Sequence, residues 1–231
     1  MANTGNELDV KRQWRQLFSA YDKGQFALAL LRCRKFLAHE TDHYPTWIVL
    51  GSSYTKMHRY ADAEKALTTA LERAPKKGKY LSSLNLGHLE EARGQLTLAL
   101  KWYRRAARIR PNEASAWVYC GHISFAEGKL KQAEKFNRRA LQCEGGAIEE
   151  AWFNLGGALL AQDRLEEARE CYVKAITIDP KYGIAKKRLM DVELAIAERA
   201  QDAPKPPHPR KSRRAAAKTP TNAVRARSRS R

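Results

Sequence analysis

The sequence predicts an all-α, right-handed solenoid of five helix-turn-helix repeats, closed by a C-terminal cap helix and followed by a disordered basic tail. Two observations carry this. A 34-residue pattern of large, small and helix-ending residues recurs in one phase through the middle of the chain. Beyond residue 200 that pattern stops, and Arg, Lys and Pro replace the large apolar residues. A repeat of this length is the mark of a solenoid, since one unit cannot bury its apolar face alone and needs neighbours stacked on it.

With Tyr44 as position 1, the pattern reads Trp47, Leu50, Gly51, Tyr54, Ala63, Leu67, Ala70 and Pro75 at positions 4, 7, 8, 11, 20, 24, 27 and 32. In the same frame, Tyr80 opens a copy with Leu86, Gly87, Gly94, Ala99, Tyr103, Ala106 and Pro111. Ala114 opens one with Trp117, Gly121, Gly128, Ala133 and Ala140, and Glu149 one with Trp152, Leu155, Gly156, Leu159, Ala168, Tyr172, Ala175 and Pro180. A weaker copy starts at Val10 with Leu17, Gly24, Ala29, Cys33 and Phe36; its Trp14 stands one place late, which shifts its first helix in register. Small residues at positions 8, 20 and 27 let two helices approach closely, and large ones fill the space between them. Proline at position 32 ends the second helix, because it lacks an N–H and restricts the residue before it. The fourth copy instead stops on Gly145-Gly146, and the extra Ile148 after it suggests looser stacking.

The expected organisation is an N-terminal extension (1–9), five repeats (10–43, 44–77, 80–113, 114–147 and 149–182), a cap helix (183–200) and a tail (201–231). In the cap, Ile184, Leu189, Val192, Leu194 and Ile196 alternate with charged residues in amphipathic helical spacing. In the tail, ten basic residues face Asp202 alone, half of the formal net charge of +18, with no Leu, Ile, Phe, Trp or Tyr. Such a stretch cannot bury enough apolar surface to offset its conformational entropy.

Composition narrows the function. There is no apolar run of the roughly 18 residues that a membrane span needs, and no apolar leader follows Met1. The four cysteines form no CxxC pair, so free thiols in a reducing compartment are expected, the cytoplasm first and the nucleus if the source is eukaryotic. No phosphate-binding, nucleophile-elbow or zinc-protease motif is present. The expectation is a binding protein rather than an enzyme, with no cofactor and no metal.

The repeat resembles the tetratricopeptide repeat (TPR) at every signature position of the second copy, with Leu67 where an aromatic is commoner. The resemblance implies that the first helix of each repeat lines a concave groove. Carried over residue by residue, it nominates Trp14, Phe18, Tyr21, Ile48, Ser52, Leu84, Asn85, His88, Tyr119, His122, Phe125, Phe153 and Asn154. That mixture suits an extended peptide or a helix of a partner protein. Asn85 and Asn154, each in Asn-Leu-Gly, look like the asparagine ladder of the TPR superhelix in O-linked N-acetylglucosamine transferases, where amides hold a peptide backbone. Val49 and Tyr119 interrupt that ladder, and the glycosyltransferase domain is absent. The carboxylate clamp that TPR proteins use for chaperone C-termini is not matched beyond Asn85. His88 and His122 share position 9 in adjacent copies, but only Glu91 is near as a further metal ligand.

Two basic surfaces complete the reading. Lys101/Lys135, Arg104/Arg138 and Arg105/Arg139 recur at positions 22, 25 and 26; stacking would align them into a convex stripe, either a solvated face or a phosphate-attracting one. The tail cluster Arg210, Lys211, Arg213 and Arg214 suits nucleic acid. The alternative function is therefore a nucleic-acid- or ribosome-associated factor. Self-association stays open, because stacking can continue between chains.

Overall fold

A computed structural model describes residues 4–202, and the tail expectation, with Arg210, Lys211, Arg213 and Arg214, lies outside the described residues. Among the described residues the chain forms eleven α-helices: α1 (Thr4–Asp22), α2 (Phe26–Leu37), α3 (Tyr44–Lys56), α4 (Tyr60–Arg73), α5 (Lys79–Ala92), α6 (Leu96–Ile109), α7 (Ala114–Ala126), α8 (Leu130–Ala140), α9 (Ile148–Leu160), α10 (Leu165–Ile178) and α11 (Gly183–Asp202). They pack in sequence, with the closest pairing inside α3/α4, α5/α6, α7/α8 and α9/α10; α1/α3, α3/α5 and α7/α9 also touch, and α5 meets α7 through His88–Tyr119 and Glu91–His122. This is an all-α solenoid in which the odd-numbered helices share one face.

The close pairing depends on glycine at position 8. A Cβ on Gly51 would lie 2.5 Å from Leu67 Cγ, and one on Gly87 would lie 2.4 Å from Tyr103 Cε1. Gly121 against Asn137 and Gly156 against Tyr172 repeat the arrangement. The side chain at position 24 therefore lies directly on the bare backbone of the facing helix. Buried alanines, among them Ala63, Ala99, Ala133 and Ala168, bring the second helix in from its own side.

Two local expectations change. The joint after α8 is knitted rather than loosened: Ala114 N donates to Gly145 O at 2.8 Å, and Glu113 and Gly145 form a parallel β-bridge. Gly146 adopts φ +96°, open to glycine at little cost, and Ile148 packs with Ala114, Val118, Ala140 and Ala151. The displaced Trp14 packs against Phe36 and His43, with ring centroids 6.5 and 5.0 Å apart. The register shift thus turns Trp14 into the first repeat's core edge, not a groove residue.

Candidate functional site

The odd-numbered helices frame two hollows on their shared face. The first, of about 680 Å³, is lined mostly by residues with polar groups: Tyr21 of α1, Ser52, Thr55 and Lys56 of α3, His58, and Asn85, His88 and Glu91 of α5. The second, of about 350 Å³, is largely apolar: Phe125 of α7 and Phe153 and Leu160 of α9 surround Tyr172, with His122, Asn154 and Arg188 of α11 contributing polar atoms.

A chain of contacts separates them. His122 Nε2 lies 3.3 Å from Glu91 Oε1. Tyr103 Oη donates to Glu91 Oε2 at 2.6 Å and stands 2.7 Å from His88 Nδ1. The Tyr119 ring meets His88 edge-on at 4.6 Å and Tyr103 at 5.1 Å. The electrostatics follow from this geometry. The hydrogen bond to His122 holds the Glu91 carboxyl below the usual carboxylate range, and the same bond raises the His122 imidazole. Desolvation lowers His88 and raises Glu150.

The nominated residues divide accordingly. Tyr21, Ser52, Asn85 and His88 meet at the first hollow, and His122, Phe125, Phe153 and Asn154 at the second, with Tyr119 between. Phe18 is exposed on α1 and Ile48 is half-buried on α3. Leu84 is a correction: it is buried in the core with Tyr80, Leu100 and Tyr103.

The two asparagines are not equivalent rungs of a ladder. Asn85 Oδ1 accepts from Ser52 Oγ at 2.7 Å, and its Nδ2 donates to Leu81 O at 2.8 Å, so the amide is held from within the protein. Asn154 Nδ2 is buried without a hydrogen-bond partner among the described residues.

Sequence reasoning missed Tyr103 and Arg188. Tyr103 stood at a packing position, and nothing in the pattern said that its hydroxyl would reach past the glycine to the inner face. Arg188 belongs to the cap, and only tertiary packing carries it to the second hollow.

The outer arginines are largely engaged. Arg104 lies over Phe136 and Arg105 over Trp102, both 5.3 Å from the ring centroid. Arg138 pairs with Glu134 at 2.9 Å, while Arg139 lies over Trp117 and donates to Pro111 O. Lys101 and Lys135 are exposed. Three of the four cysteines (Cys33, Cys120 and Cys171) are buried, which pushes their thiols up to about 12, 12 and 11, far from a reactive thiolate. No cluster of three or more potential metal ligands occurs among the described residues, nor does any helix there have the length and apolarity to cross a membrane.

Family models described as tetratricopeptide repeat match residues 48–114 and 149–182. The human protein O-mannosyl-transferase TMTC1 is 30% identical over 151 residues, covering 64% of this chain and 17% of that protein. Human tetratricopeptide repeat protein 7B is 30% identical over 93 residues, 40% of this chain and 11% of that one. The chain thus spans less than a fifth of either curated relative. Among solved structures, TTC0263, a thermophilic TPR protein of Thermus thermophilus, superposes with a TM-score of 0.61 at 22% identity, covering 80% of this chain and 99% of that one. The APC/C hetero-tetramer Cut9-Hcn1 gives 0.64 at 17% identity, covering 77% and 35%. At such identities these structures speak to the fold alone.

Proposed function

The chain is a tetratricopeptide repeat protein, a fold that serves as a protein-interaction scaffold, and from that premise we propose that it works without catalysis, holding an extended peptide or a helix of a partner protein in the groove of its odd-numbered helices. One observation carries the reading. An apolar hollow, with Phe125 43% exposed at its edge, lies beside one lined mostly by residues with polar groups, so a partner can seat a large apolar side chain while its backbone meets amides and imidazoles. The transferase activity in TMTC1's name belongs to that protein, of which 17% is matched. A reducing compartment such as the cytoplasm suits the four free cysteines. The nucleic-acid alternative rests on residues 201–231 and on the outer arginines; four of the latter already stack on rings or pair with acids, so the groove is favoured.

The test is to select peptides from a displayed library on the full-length protein, then measure their affinity for Phe125→Ala and Lys135→Glu. Phe125→Ala should weaken binding about tenfold or more, as expected for losing an aromatic contact at a buried anchor. Lys135→Glu, on the outer surface, should leave it unchanged. Equal affinity for wild type and Phe125→Ala would remove the second hollow from the proposal.

A further inference from the structure

The last helix has two unlike faces. Ala185 and Val192 of α11 are buried, and Leu189, Ala195 and Ile196 pack with Leu155, Leu159 and Tyr172. At about 100° per residue the opposite face falls on Met190 and Leu194, which are 64% and 63% exposed. Lys186 and Lys187 flank this pair on the N-terminal side, and Ala197 and Glu198 on the C-terminal side.

This face cannot take a further repeat in the same geometry. Counted from Gly183, Met190 occupies position 8, where α3, α5, α7 and α9 carry the glycine that admits a partner helix onto bare backbone. A partner must pack at side-chain distance and bring its own apolar residues. Residues 203–231 contain no Leu, Ile, Met, Phe, Trp or Tyr, so that segment does not supply them.

We propose that the occupant is α11 of a second copy, packed antiparallel about a two-fold axis near Val192. That register sets Met190 of each copy against Leu194 of the other and brings Lys187 beside Glu198 along one edge of the seam, twice by symmetry. A parallel pair would instead gather Lys186 and Lys187 of both copies at one end of the seam. Opposed helix dipoles also favour the antiparallel choice. One helix pair buries far less than the roughly 1,600 Å² of a standard interface, so the dimer dissociates at concentrations on the order of 10 µM. It leaves the groove open and would present two grooves to one partner.

Sedimentation velocity of the full-length chain between about 1 and 200 µM tests this, a span that brackets the expected dissociation constant. Wild type should pass from monomer to dimer. Met190→Glu/Leu194→Glu should stay monomeric with an unchanged helical circular dichroism signal. Lys187→Glu and Glu198→Lys should each weaken the dimer, and the two together should restore it. A wild type that stays monomeric throughout, a dimer that survives the double glutamate variant, or a charge swap that fails to restore would each overturn the proposal. So would a monomer in which Met190→Glu/Leu194→Glu speeds amide exchange in residues 203–231, which would put the tail on this face.

Discussion

Asn137 breaks the rule of position 24. Leu67, Tyr103 and Tyr172 hold that place in the second, third and fifth copies, each pressed on a facing glycine. Asn137 is as deeply buried and donates to Ala133 O at 2.9 Å, but its Oδ1 is buried with no partner among the described residues. An unpaired buried acceptor costs about 1–3 kcal/mol. Asn137→Leu, which repeats the choice made at Leu67, should therefore stabilise the fold by about 1–2 kcal/mol, read as a higher urea midpoint at unchanged slope. A lower midpoint would mean that the amide is worth more to the α7/α8 contact than the acceptor costs. The sequence displays the exception in plain view; that it leaves an orphan atom depends on what surrounds it.

The helical hairpins are closed by a left-handed residue at position 15. Gly24, Gly94 and Gly128 adopt φ of 70°, 77° and 73°, while His58 and Asp163 take 57° and 63° in the corresponding turns. A side chain in that region costs about 1–2 kcal/mol, against about 0.5–1 kcal/mol of extra chain entropy for glycine. His58→Gly should gain about 0.5–1 kcal/mol, seen as a thermal midpoint higher by a few degrees, since its contact with Tyr60 Oη is exposed. Asp163→Gly should gain less, because that carboxylate pairs with Arg199 of α11. The turn glycines were legible from spacing. The strained exceptions were not, because nothing in a histidine or an aspartate announces a positive φ.

Across the whole molecule, one coupled cluster ties α5, α6 and α7 at the inner face. His122 is raised through its bond to Glu91, so this part of the stability is present below the unfolded His pKa and is lost as pH rises through the folded one. Glu91 is lowered, so its part is present above the unfolded carboxylate pKa and is lost as pH falls through the folded one. His88, lowered by desolvation, opposes folding once acid protonates it. Histidine ring resonances followed by NMR should show His122 titrating above the ordinary value and His88 below it. Glu91→Gln should bring His122 down; an unmoved His122 would show that Glu91 is not its partner in solution.

The sequence by itself determined the repeat, the helix pairing and the inner-face helices, because close packing demands small residues at fixed intervals and proline and glycine end helices locally. Tertiary structure alone decided which polar side chains reach from one repeat to the next. Asn85 accepts from Ser52, and Arg104 settles on Phe136. Arg188 reaches the second hollow only because α11 folds back on α10. The physical reason is range: helix periodicity and backbone termination are written within a few residues, whereas a hydrogen bond or ring contact depends on a partner about one repeat away.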